Sequence, residues 1–116
     1  MDGFSVSIDS SGFDEVFGRA KQNIARAIDL SLRQSALAVQ NRAKGNAPFL
    51  TGNLRRSITH IITKGIATIG TNVVYAKERE FNTRRKPRGY LRPALKDSTP
   101  QIKGFFETNL NNALSS

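Results

Sequence analysis

Hydrophobic and polar positions follow two different periods along this chain, and the switch between them predicts most of its elements. Phe4, Val6 and Ile8 alternate with Ser5 and Ser7, a period of two that turns one face of a strand toward a core. After Ser10, Ser11 and Gly12 the period lengthens. Phe13, Phe17, Ala20, Ile24, Ile28, Leu32, Ala36, Val39 and Ala43 are separated by threes and fours, with no proline and only Gly18 as an internal weakener before Gly45. The spacing predicts a helix of about thirty residues, roughly 45 Å long. A small domain does not need a helix of that length, so part of it is expected to pack on a neighbouring subunit. Gly45, Asn46, Ala47 and Pro48 predict its end, because glycine adopts a left-handed cap at little cost and proline cannot continue the ladder.

In the second half, Thr51 is placed to cap a short turn through Leu54 and Arg55. Ser57 to Thr63 and Ile66 to Thr71 are β-rich runs separated by Lys64 and Gly65, the signature of a hairpin whose turn needs a positive φ. Val73 to Phe81 is read as a short helix, and Asn82 to Gly89, which has no apolar residue and four basic ones, as an exposed loop. Tyr90 and Leu91 predict a last short strand, and Arg92 to Lys96 a helical turn opened by Pro93. Ser98 or Thr99 before Pro100 then restarts a helix carrying Ile102, Phe105, Phe106, Leu110 and Ala113 at helical spacing. The order predicts a single α+β domain over residues 1–116, with the long N-terminal helix and the C-terminal helix packed on one face of a small antiparallel sheet.

Charge changes this picture. The formal net charge is +9 over 116 residues. Met1 to Leu50 holds six basic and five acidic side chains, Thr51 to Thr99 eleven and three, and the remainder one of each. The excess is concentrated in the middle segment, which points to an anionic partner or a polyanionic setting. Arg19, Lys21, Arg26, Arg33 and Arg42 lie opposite the apolar stripe of the long helix and read as a solvated face. The absence of cysteine removes disulfides and thiolate chemistry and fits a reducing cytoplasm. The polar, acidic start MDGFSVSIDSS and the lack of any run near the ~20 apolar residues that span a bilayer predict a soluble protein with no membrane partner.

Enzyme chemistry finds little support. The single histidine, His60, lies in a β run and reads as a polar strand residue. Glu78, Glu80 and Asp97 offer carboxylates for a magnesium-dependent nuclease, but pairing of the glutamates with Lys77, Arg79 or the basic loop is the more economical reading. No phosphate-binding glycine loop or dinucleotide fingerprint occurs. The expectation is a non-enzyme without metal or cofactor. Arg79, Arg84, Arg85, Lys86, Arg88 and Arg92 fall within fourteen residues and form the candidate subunit or DNA contact. Tyr75 and Phe81 are placed to anchor the loop ends in the core, and Glu80 to pair with Arg92. The loop either grips phosphates, docks on an acidic protein or is simply solvated.

Four blocks, in order, resemble one family. They are RAKGNAP (Arg42 to Pro48), TGNLRRSI (Thr51 to Ile58), IGTNVVYAKEREFNT (Ile69 to Thr83) and YLRPAL (Tyr90 to Leu95). Together they resemble the siphophage head-tail joining proteins, the neck or tail-completion proteins typified by a minor tail component of lambda-like phages. The family has glycine after the phenylalanine of the third block, where this chain has Asn82, the next best residue for a left-handed turn. The resemblance implies a structural protein of the virion, assembled in the host cytoplasm. It implies a homo-oligomeric ring, six-fold, between head-closure or connector proteins and the tail tube or tail terminator. A basic loop facing the ring lumen would meet packaged DNA; one facing outward would meet protein. A sequence-independent DNA-binding module is the alternative.

Overall fold

The computed structural model describes residues 3–10, 22–47, 52–73 and 89–115. Six elements follow along the chain: β1 (Phe4–Asp9), α1 (Gln22–Asn46), α2 (Asn53–Ser57), β2 (Thr59–Thr63), β3 (Ile66–Thr71) and α3 (Leu91–Ser115). The domain is α+β, with the helices on one face of a three-stranded antiparallel sheet. β3 is its central strand, paired with β1 on one side and β2 on the other.

Alternation along the strands decides which face is covered. The register aligns Val6, Ile69 and His60 in one row and Ile8, Ala67 and Ile62 in the next, all pointing to the helices. Ala67 and Ile69 are fully buried, and the flanking Val6, Ile8 and Ile62 pack against the same core. The opposite face carries Ser5, Ser7, Thr59, Thr63 and Thr68, with the Ser7 and Thr68 hydroxyls 3.3 Å apart. At Gly70 β1 runs so close that a Cβ would overlap the Phe4 carbonyl and lie 2.6 Å from the Ser5 Cβ, so the central strand needs a glycine there.

α1 and α3, each 25 residues, form an antiparallel pair about 37 Å long. Hydrogen bonds tie them along their length. Asn23 Nδ2 donates to the Ala113 carbonyl at 2.7 Å, Asn109 Nδ2 to Ser31 Oγ at 2.9 Å and Arg42 to the Asp97 carbonyl at 3.1 Å. The apolar stripe read from the sequence is the buried face of α1 from Ile24 to Ala43; its predicted start at Phe13, Phe17 and Ala20 lies outside the described residues. Ser31, Ser35 and Ser98 are also fully buried, which the apolar pattern did not indicate. Small side chains let the two helices approach closely. The Ser31 hydroxyl is satisfied by the Ala27 carbonyl and by Asn109, whereas Ser35 Oγ and Ser98 Oγ have no hydrogen-bond partner.

The structure corrects several boundaries. Gly45 lies within the last turn of α1 and has no positive φ; the left-handed glycines are Gly52, Gly65 and Gly89. Gly52 is the N-cap of α2, with no side-chain cap among the described residues, and Thr51, expected to cap there, lies outside them. β2 begins at Thr59, because Ser57 closes α2 by donating from Oγ to the Leu54 carbonyl at 2.7 Å. Tyr90 and Leu91 are not a strand: Leu91 opens α3, which runs through Pro100 without a break. The apolar stripe Leu91, Ala94, Leu95, Ile102, Phe106 and Leu110 keeps helical spacing across the proline, and its burial outweighs the lost backbone bond. The short helix expected over Val73 to Phe81 falls, apart from Val73, outside the described residues.

The predicted hairpin turn is present, with one surprise. Lys64 as well as Gly65 has a positive φ, at 51° and 77°, the geometry of a two-residue type I′ turn. Lysine is strained there, and asparagine enters this region more readily. Lys64→Asn is expected to raise the unfolding free energy by about 0.5–1 kcal/mol, measurable by urea titration with an unchanged m-value.

Candidate interaction surface

The first, second and fourth of the blocks that carry the resemblance lie largely in described residues, as does the start of the third (Ile69 to Val73), and the fold brings these described parts to one end of the molecule. The first block is the last turn of α1, the second is α2 and its exit into β2, the third begins in β3, and the fourth opens α3. Arg55 donates to the Ala47 carbonyl at 3.3 Å, joining the second block to the first. Asn46 Nδ2 reaches the Tyr90 carbonyl at 3.5 Å, joining the first to the fourth. Ser57 Oγ spends its proton on Leu54, so Thr71 is the donor in the 2.5 Å Thr71–Ser57 hydroxyl contact that joins the third to the second. Beneath these bonds Ala47, Leu54, Ile58, Tyr90, Leu91 and Ala94 form one buried cluster. Tyr90 is the largest fully buried side chain.

The ends of the elements that meet at this cluster are rich in cations. Arg42, Lys44, Arg55, Arg56, Arg92 and Lys96 lie on the last turn and a half of α1, on α2 and on the first turns of α3, with Asp97 as the one described carboxylate among them. The other described cations, Arg26, Arg33, Lys64 and Lys103, are accompanied by Asp9, Asp29 and Glu107. The ion pairs follow the same division. Arg33 Nε pairs with Asp29 at 2.8 Å and Lys103 with Glu107 at 4.0 Å, both one helical turn apart on exposed faces. Lys44, Arg56 and Lys96 form no ion pair among the described residues, and Arg42 is held by neutral oxygens, the Asp97 carbonyl and Gln101 Oε1. A basic end results, and the chain that leads into it at Gly89 contains Arg84, Arg85, Lys86 and Arg88.

Of the residues expected from sequence to make contacts, Arg92 is exposed on the first turn of α3. Arg79, Arg84, Arg85, Lys86 and Arg88 lie outside the described residues, as do the expected anchors Tyr75, Glu80 and Phe81. Arg42, Lys44, Arg56 and Lys96 were not singled out as a contact surface. Their signal was present: the first, second and fourth blocks of the resemblance carry cations, but only the antiparallel pairing of α1 with α3 brings those helix ends together.

Of the remaining candidates for chemistry, Glu78 and Glu80 lie outside the described residues. His60 is half-buried on the covered face of the sheet, with Nδ1 2.5 Å from Gln40 Oε1, so it links β2 to α1. Among the described residues no three His, Cys, Asp or Glu side chains group as metal ligands. A shallow pocket of about 220 Å³ beside the hairpin turn is lined by Ser10, Ala25, Ile28, Asp29, Leu32 and Gly65. Its hydroxyl, Ser10 Oγ, donates to the Gly65 carbonyl at 2.7 Å. No described helix is long and apolar enough to cross a membrane.

Four large apolar side chains are exposed among the described residues. Leu30 and Leu37, each about half exposed, are seven residues apart on the outward side of α1, in line with Arg26 and Arg33. Ile61 is exposed on the uncovered face of the sheet and Leu114 in the last turn of α3. In comparisons with known proteins, no protein-family model, curated protein or solved structure matches this chain.

Proposed function

We propose that this chain is a structural ring subunit in the neck of a tailed bacteriophage, where it completes the tail or joins it to the DNA-filled head. The observation that carries this reading is the convergence of the described parts of the four blocks. Residues far apart in sequence, which resemble a neck or tail-completion protein only when taken in order, are bonded into one unit around Tyr90. A motif that builds one corner of a fold is better support than four scattered matches.

The surface agrees with an assembly role. A ring forms through heterologous contacts, so two different faces of each subunit must be available. The outward stripe of α1 with Leu30 and Leu37 supplies one, and the uncovered sheet face around Ile61 supplies another. Six copies in the virion neck, seated between a head-closure or connector protein and the tail tube or terminator, is the arrangement proposed.

Native mass spectrometry of the purified protein, alone and with tails prepared without it, tests this. The expected result is a closed ring or ring-sized addition to the tail end, with restored joining to filled heads. A chain that stays monomeric and neither binds tails nor restores joining overturns the proposal.

A further inference from the structure

We infer that the outer edge of β2 is a self-association site, where two copies of this chain pair their β2 strands antiparallel about a two-fold axis at Ile61. The sheet order β1-β3-β2 gives β2 a neighbouring strand on one side only. The hairpin register fixes which of its main-chain groups face the other side. A two-residue turn closes on a hydrogen-bonded pair, here Thr63 with Ile66, and bonded pairs then alternate, so Ile61 bonds to Thr68 and Thr59 to Gly70. The N–H and C=O groups of His60 and Ile62 therefore point away from β3. Among the described residues no hydrogen bond engages them.

The spacing of these groups selects a second copy as the occupant. With Ile61 opposite the Ile61 of a second copy, His60 falls opposite the copy's Ile62 and Ile62 opposite its His60. Both pairs are then hydrogen-bonded, and every open N–H on the two edges meets a carbonyl. A register centred on His60 or on Ile62 completes one such pair in place of two. The side chains agree with the same register. Ile61 is 53% exposed on the uncovered face of the sheet, and on the axis it meets its own copy in a non-hydrogen-bonded pair, where Cα atoms approach to about 4.5 Å and side chains touch most closely. Thr59 falls opposite Thr63, a further favourable cross-strand pair. Edge strands commonly carry charge, proline or a bulge that blocks such pairing. Thr59–Thr63 has no charged residue and no proline, and its register with β3 is unbroken.

A five-residue seam buries less than the about 1,200–2,000 Å² of a stable complex, so the pair is in equilibrium with the monomer and dissociates on dilution. The contact is isologous and closes on two copies, which makes it an interface additional to the head-to-tail contacts of a ring.

Amide hydrogen exchange of the full chain, followed by NMR over a dilution series with sedimentation velocity in parallel, tests this. The His60 and Ile62 amides are expected to exchange rapidly in the dilute monomer and to become protected as the dimer forms, while Ile61 and Thr63, bonded to β3, are protected throughout. Ile61→Lys places like charges opposite each other on the axis and is expected to raise the dimer dissociation constant about tenfold or more. Leu37→Lys, on the outward side of α1, is expected to leave that constant unchanged. Circular dichroism establishes that both variants fold; if Ile61→Lys does not, Thr59→Lys with Thr63→Lys, which face each other across the seam, carries the test. A chain that is monomeric at every concentration overturns the inference, as does full protection of His60 and Ile62 in the dilute monomer. Dissociation of the pair by Leu37→Lys and not by Ile61→Lys also overturns it, since α1 would then be the seam. Pairing by a chain that joins no tails retains this inference and removes the neck assignment, and tail joining by a chain whose β2 edge never pairs does the reverse.

Discussion

Tyr90→Ala is expected to lower the unfolding free energy by about 3–5 kcal/mol, the range for deleting a buried aromatic side chain. Tyr90 is fully buried where α1, α2 and α3 meet, among Ala47, Leu54, Ile58 and Leu91. The neighbours are anchored to three elements, so the cavity cannot collapse without loosening the contacts at that end. A domain of this size has only about 5–15 kcal/mol to lose, and each kcal/mol shifts the melting temperature by about 4–8 °C. Thermal denaturation should therefore show a fall of about 12 °C or more, which the lower bounds imply. Tyr90→Phe, which preserves the ring volume, is expected to retain most of the stability. If Tyr90→Ala costs less than about 1 kcal/mol, the cluster is not what holds the four blocks together.

Pro100→Ala is the second large effect, and its sign is opposite. Pro100 is exposed inside α3, where it denies the Lys96 carbonyl its intrahelical donor and crowds it with the ring. An interior proline costs a helix about 3 kcal/mol relative to alanine, so the substitution is expected to stabilise the domain by about 2–3 kcal/mol. Because the site is exposed and Pro100 belongs neither to the buried cluster nor to the residues packed against it, little packing is lost in exchange. Urea unfolding measures the change directly. No gain, or a loss, would mean that α3 needs the proline to fit its stripe against α1.

These two positions also mark where local reading succeeds and fails. The stripe from Ile24 to Ala43 was legible because a period of 3.6 repeated over six turns is hard to produce in any other way. The hairpin was legible because Lys64 and Gly65 interrupt two β-rich runs. Pro100 was misread as a helix start because the rule for proline is local, while the apolar stripe that overrides it spans the whole of α3. Tyr90 was misread as strand because an aromatic after glycine suits a strand as well as a helix entry, and only its burial against α1 distinguishes them. Ser31, Ser35 and Ser98 were invisible to a hydrophobic pattern, since they are buried for their size and not their polarity. Among candidate contact residues, Arg92 alone of the predicted set lies within the described fold, and the basic end around it was not anticipated.

By itself the sequence determined the class of the fold, the covered face of β1, the buried face of α1 and the excess of positive charge. All of these are encoded in neighbours a few residues apart, where periodicity and turn chemistry act. Only the tertiary structure decided that α3 is continuous, that β3 is the central strand, and that the blocks ending at Ala47, Ile58 and Leu95 are one corner of the molecule. The physical reason is that burial is cooperative over the whole chain: the antiparallel seam of α1 and α3 wins over local breakers, and in closing it brings cations from three segments to one end.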